Sequence, residues 1–148
     1  NSDSAADELL AAGAEVNNQL EWGHSPLHTS VALGNFKIVK KILDEDSEIN
    51  SKDKLGRTPL HWAAEKGHLS IAKFLIQKGS GINATDNEGE TPMHDAAKWG
   101  KRSIVELLIS YKANINTKGS DGRAPMHLSI ANGNSDITDL LKTHGAIL

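Results

Sequence analysis

Cysteine is absent from the 148 residues, aromatic side chains make up 4% of them, and proline occurs only four times. Without cysteine there is no disulfide framework, no thiolate nucleophile and no thiolate metal site. A reducing compartment, cytoplasmic or nuclear, suits that composition best. The opening residues NSDSAADELLAAG lack the basic start and the apolar stretch of a signal peptide or membrane span. Neither secretion nor a membrane partner is expected, and the Asn83-Ala84-Thr85 sequon reads as a coincidence. Basic residues (16) do not outnumber acidic ones (19), so the net charge is -3 and no surplus of cations is present to neutralise phosphates. Nucleic acid is set aside as a direct ligand on that ground. HExxH, GxSxG and a phosphate-cradling glycine loop do not occur, and the chain reads as no enzyme, with no cofactor and no metal.

What is present is a repeat. The prolines stand at 26, 59, 92 and 125, a constant interval of 33 residues, and each sits in a tetrad. The tetrads are Ser25-Pro26-Leu27-His28, Thr58-Pro59-Leu60-His61, Thr91-Pro92-Met93-His94 and, without its hydroxyl, Ala124-Pro125-Met126-His127. A Ser or Thr hydroxyl accepts a hydrogen bond from an orphan N–H at a helix start, and proline at the first helical position gives up a donor that had no partner. Each tetrad therefore predicts a helix start. In the second copy Leu60, Ala63 and Ala64 follow at helical spacing until Gly67, and Ile71, Ala72, Leu75 and Ile76 then mark a second helix that ends at Gly79. Small alanines let a neighbouring helix approach closely. A fixed period of this length, one helix-turn-helix pair per period, predicts a solenoid with a continuous core in which no single copy folds alone.

These four tetrads in register, joined by Asn17, Asn50, Asn83 and Asn116 at the same interval, resemble the ankyrin repeat, with its 33-residue period and T-P-L-H-x-A pattern. The resemblance covers nearly the whole chain. It implies an all-α ankyrin-repeat solenoid of stacked helix-turn-helix units with hairpin-like finger loops and a concave binding face. Residues 1-148 are expected to form a single domain: a partial repeat over 1-17, full repeats over 18-50, 51-83 and 84-116, and a C-terminal capping repeat over 117-148. The first full copy should carry its inner helix near 26-33 and its outer helix near 36-45. The start lacks an inner helix, which reads as a cut through a repeat whose parent continues upstream. In the fourth copy Gly119 replaces the finger aspartate seen as Asp53 and Asp86, and Ser129-Ile130 replaces Ala-Ala. There Thr138 and Lys142 stand where earlier outer helices carry apolar residues, as if no further neighbour covered them.

The recurring His28, His61, His94 and His127 cannot share an ion, because packed helices lie 8 to 10 Å apart while two ligands of one zinc lie within about 4 Å. Each imidazole is expected to tie its own loop to the neighbouring turn, as the family implies, and His68 and His144 to do the same. His24 is a finger residue that would reach a partner. Placed on the family pattern, Trp22, Trp62 and Trp99 fall on the concave face rather than at core positions. Their neighbours there are Glu21, Lys54, Leu55, Arg57, Glu65, Lys66, Glu88, Glu90, Asp95 and Arg123. An aromatic face of mixed charge suits a protein or peptide partner, with Trp62 also placed to lean on the next inner helix. Phe36, Phe74 and Tyr111 are expected to pack on the outer helices. The resemblance further implies that finger asparagines such as Asn83 and Asn116, each with a leucine eight residues back, either brace the finger or accept hydroxylation. The leading expectation is a monomeric interaction module acting as adaptor, inhibitor or targeting arm. The alternative is the substrate-recruiting section of a longer enzyme or effector.

Overall fold

The computed structural model describes residues 25–44 and 48–147. The partial repeat at 1-17, together with Glu21, Trp22 and His24, lies outside the described residues. Among the described residues, eight helices follow one another in four pairs. The inner members are α1 (Pro26–Leu33), α3 (Pro59–Lys66), α5 (Pro92–Lys98) and α7 (Pro125–Ala131). The outer members are α2 (Phe36–Asp44), α4 (Leu69–Gln77), α6 (Arg102–Ser110) and α8 (Ser135–Thr143). No strand occurs among the described residues, so the chain is all-α as its periodicity predicts.

The tetrads start the inner helices as expected. Ser25 and Thr58 accept the amides of His28 and His61 on their hydroxyls, and the third residue of each helix reaches back, with His28 Nδ1 and His61 Nδ1 accepting the Ser25 and Thr58 amides. Proline fills the first position of every inner helix. Ala124 offers no hydroxyl, and only the returning bond from its amide to His127 Nδ1 remains. The chain leaves α3 through Gly67, whose φ of 76° lies in the left-handed region that a side chain resists. From there it doubles back into the outer helix.

Inner helices stack on inner helices and outer on outer, each pair also packing internally, and the inner row is the more closely packed. Composition explains the difference. Ala63, Ala64, Ala96 and Ala97 are fully buried where the inner helices meet, so the backbones approach, while outer helices contribute longer Ile71, Leu75, Ile104 and Leu108. The core is a stripe running through all four pairs, from Leu27 and Val31 to Ile137 and Leu141. Where Ser replaces Ala in the first and fourth pairs, its hydroxyl is satisfied within its own helix, by Leu27 O and Met126 O.

Between the pairs the loops fold as hairpin-like fingers. Asp53 N donates to Arg57 O, Asp86 N to Glu90 O and Gly119 N to Arg123 O, one bond per finger in the same register. Adjacent fingers are joined in turn, Asn87 N to Leu55 O and Ser120 N to Glu88 O. Histidines bind one repeat to the next: Nε2 of His28, His61 and His94 donates to the carbonyls of Arg57, Glu90 and Arg123, at 2.8, 2.9 and 3.0 Å. Asparagines do the same further along, Asn50 Oδ1 accepting Gly81 N, Asn83 Oδ1 accepting Asn114 N and Asn116 Oδ1 accepting Ile147 N.

Two sequence expectations need correction. Thr138 is not an uncovered end residue: it is buried, and its hydroxyl meets Ser129 Oγ at 2.7 Å and Asn134 O at 3.1 Å, which lets a polar side chain fill an apolar register position. Lys142 is exposed as expected. His144 does not bridge to a neighbouring turn, because its Nδ1 bonds to Leu140 O of its own last helical turn. His68 does bridge, with Nε2 3.3 Å from Ala32 O. Among the outer aromatics Phe36 and Phe74 meet with ring centroids 5.1 Å apart, while Tyr111 caps α6 and stays partly exposed.

Candidate functional site

The site is built on the inner face, where two fingers overhang two inner helices. The finger at 51-57 turns at Gly56, where φ is 77° and an added Cβ would meet the Asn87 backbone nitrogen at 2.8 Å. That contact fixes how closely the next finger, 84-90, lies against it. Asp53 and Asp86 shape the two fingers by accepting their amides: Leu55 and Arg57 donate to Asp53 Oδ1, and Glu88 and Glu90 to Asp86 Oδ1. Below the fingers, α3 contributes Trp62 and Glu65, and α5 contributes Asp95, Lys98 and, at its C-cap, Trp99.

Trp62 is anchored rather than presented. Its Nε1 donates to Asp53 Oδ2 at 3.1 Å, its ring packs against the core, and the Arg57 guanidinium lies 4.3 Å above the ring centroid. The stacked guanidinium then reaches two carboxylates, Glu65 with Nη1 to Oε1 at 3.3 Å and Asp95 with Nη2 to Oδ2 at 3.5 Å. Arg57 and Asp95 are 9% and 5% exposed, so the sequence expectation of both as open surface residues is wrong on burial. The physical reason is mutual: Arg57 lies over the Trp62 ring and reaches Asp95 in the first turn of α5. They form the floor of a cleft.

That cleft has a volume of about 250 Å³. Leu55, Glu88 and Glu90 stand on the finger side, Glu65, Lys98 and Trp99 on the helix side, with Arg57 and Asp95 beneath. Leu55 and Trp99 expose 54% and 51% of their surface, so its two apolar walls are open. The charge in the floor is unevenly settled. Burial, opposed by Arg57 and reinforced by Glu65, pushes the Asp95 carboxyl up to about 8. Burial also raises Glu90, with Asp86 adding to the effect. Neither Asp95 Oδ2 nor Arg57 Nη2 has a hydrogen-bond partner, although both are buried.

The family model for ankyrin repeats (3 copies) matches residues 1–86 and again residues 72–148. The chain belongs to the ankyrin-repeat family. Among curated proteins no sequence matches it. Ankyrin repeats are in general protein–protein interaction modules and typically non-catalytic. No helix among the described residues is long and apolar enough to cross a membrane.

Of the expected contact residues, this ankyrin structure brings Leu55, Arg57, Glu65, Glu88, Glu90, Asp95 and Trp99 to one cleft. Lys66 adjoins it, in a shallow depression with Glu65, Trp99 and Lys101. Lys54 and Arg123 are not gathered there: Lys54 is exposed on its finger, and Arg123 lies one finger further on, its amide donating to Asp121 Oδ1. Trp62 is held to its own finger through Asp53 and packs on the core. Trp22 lies outside the described residues. Asp86, Asn87 and Lys98 also line the cleft and were missed. A signal existed for Lys98, since it repeats the register position of Glu65 one period earlier.

Proposed function

We propose that the chain is an interaction module that binds a protein surface or extended peptide along its concave inner face, acting alone as an adaptor, inhibitor or targeting arm. The observation that carries this reading is the cleft flanked by Leu55 and Trp99, two large apolar side chains left more than half exposed in an otherwise polar lining. Exposed aromatics next to buried, hydrogen-bonded anchors are the usual material of interaction hot spots. The mechanism is rigid presentation. Fingers are fixed to each other by main-chain bonds and to the helices by Trp62 and the histidines, so little ordering entropy opposes binding.

The reading is tested by selecting peptides from a random display library on the folded chain, then measuring them against a variant carrying Leu55→Ser and Trp99→Ala. Both positions are exposed, so the variant should keep its fold. Loss of at least about tenfold in affinity is expected, as for hot-spot truncation. Peptides that bind both chains equally, or that shift resonances of the outer helices instead, would move the site off the inner face.

A further inference from the structure

The cleft carries more negative charge than the fold uses. Five carboxylates line it against two cations, Arg57 and Lys98. Some of that charge is committed: Asp86 holds the finger amides, and Glu65 pairs with Arg57. Glu88 and Glu90 form no ion pair among the described residues. Asp95 is the telling case. Its side chain is 7% exposed, it lines the cleft, and its Oδ2 accepts no hydrogen bond; its one ion partner, Arg57 Nη2 at 3.5 Å, is likewise without one. Buried polar atoms in native proteins are nearly always satisfied, and exceptions call for an explanation.

We propose that the cleft receives the guanidinium of an arginine on the partner polypeptide, its stem lying between Leu55 and Trp99 and its head donating to Asp95 and to Glu88 or Glu90. This rests on the concave-face reading and names the chemistry of what that face takes. Size favours a single side chain, because about 250 Å³ is below the usual range for small-molecule and cofactor pockets. Charge favours a cation: with Asp95 protonated, the other four carboxylates still outnumber Arg57 and Lys98 by two, and a guanidinium beside Asp95 would favour release of its proton. Geometry favours arginine over lysine. A planar fork with five donors can reach two carboxylates at once and stack on an indole, and a guanidinium gives up its hydration more readily than an ammonium. The Trp99 ring already holds a cation over its face, Lys98 Nζ at 5.5 Å from the centroid, and Lys98 is an exposed side chain able to swing aside.

The test uses N-acetyl-arginine N-methylamide as probe, titrated into the isotopically labelled chain at low ionic strength. The matching citrulline and lysine amides serve as neutral isostere and point-charge control. Saturable shifts are expected at the Trp99 indole N–H and at the amides of 86–90 and 95, with citrulline at least about tenfold weaker, since a charge-assisted contact is replaced by a neutral one. D95N and E90Q should each weaken the arginine amide several-fold while leaving the spectrum folded; two variants are used so that one misfolded chain does not decide the matter. Absence of saturable shifts at these resonances, equal binding of citrulline, or indifference to both substitutions would overturn the proposal. The concave-face reading fails separately: library-selected peptides that contact Leu55 and Trp99 but carry no arginine would sink this inference alone, and peptides that contact only the outer helices would sink both.

Discussion

Replacing Asp95 by asparagine should stabilise this protein, by an amount that grows with pH. The carboxyl is buried beside Arg57, Glu65, Glu90 and Asp86, and is pushed up from 3.8 to about 8. Between those values the folded chain holds a proton that the unfolded chain has released. Stability therefore falls as pH rises through that window, by about 1.4 kcal/mol per unit. Below pH 3.8 both states are protonated and the group contributes no slope; above about pH 8 both are ionised and the loss levels off. Asparagine keeps the shape of the neutral acid and never ionises. Relative to it, the native residue should cost about 0.5 kcal/mol near pH 4 and about 4 kcal/mol near pH 7, and somewhat more above pH 8. Arg57 is not stranded by the change, because Glu65 Oε1 remains 3.3 Å from its Nη1. Urea unfolding followed by helical circular dichroism at pH 4, 5.5, 7 and 8.5 reads the difference directly, provided the m-value is unchanged. An equal or lower stability of D95N at pH 8.5, or a gap that ignores pH, would refute the reasoning. Asp95 would then be ionised in the folded chain, fully compensated by Arg57, and the unsatisfied floor of the cleft would be no reservoir for binding.

The buried imidazole of His61 titrates the other way: burial holds it down to about 4, so protons bind the unfolded state first and stability is lost as pH falls from 6.5 towards 4, by up to about 3 kcal/mol. In the native chain the Asp95 slope largely offsets this one, so the acid-side loss should stand out in D95N and disappear in the D95N/H61F double variant, as pH-dependent urea midpoints would show. His61→Phe alone removes the bond to Glu90 O and leaves the Thr58 amide unpaired, and should cost about 2 to 4 kcal/mol at pH 7 by chemical denaturation. Gly56→Ala forces a left-handed residue against the Asn87 backbone and should cost more than about 1 kcal/mol, measured as a lowered thermal midpoint. Ala124→Thr restores the hydroxyl present at Thr58 and Thr91 and should raise stability by about 0.5 to 1 kcal/mol, seen as slower amide exchange in α7 and α8. In the native chain, exchange should be slowest in α3 to α6, and uniform protection across all eight helices would count against that ranking.

Most of the fold was legible because it rests on local rules repeated every 33 residues. Pro26, Pro59, Pro92 and Pro125 each open an inner helix, and alanine pairs mark where inner helices touch. The bridging role of His28, His61 and His94 was legible for the same reason, while the imidazole of His127, expected to bridge as well, bonds only its own Ala124 amide. The failures share a cause as well. Thr138 was read as uncovered because its chemistry is polar, yet a hydroxyl that finds Ser129 and Asn134 can be buried at little cost. Arg57 and Asp95 fall at concave-face positions of the family pattern, and sequence does not show that Trp62 offers Arg57 a platform, which buries both.

The register itself gives the last step. Asp95 stands one period after Trp62, and Lys98 and Trp99 one period after Glu65 and Lys66. At the earlier set of positions the residues close a structural circuit: Asp53 holds the indole, the indole carries Arg57, and Arg57 reaches Glu65. One period on, the finger aspartate is kept as Asp86, yet the indole it would hold is replaced by a carboxylate and Arg57 is replaced by Glu90. The circuit is thereby opened, and its place is taken by a cleft with an unsatisfied acid in the floor and a tryptophan at the rim. A repeat protein departs from its own consensus at a stability cost, and such departures concentrate where a site is needed. On the proposed reading, the broken repeat rather than the well-formed one is where a partner completes the structure.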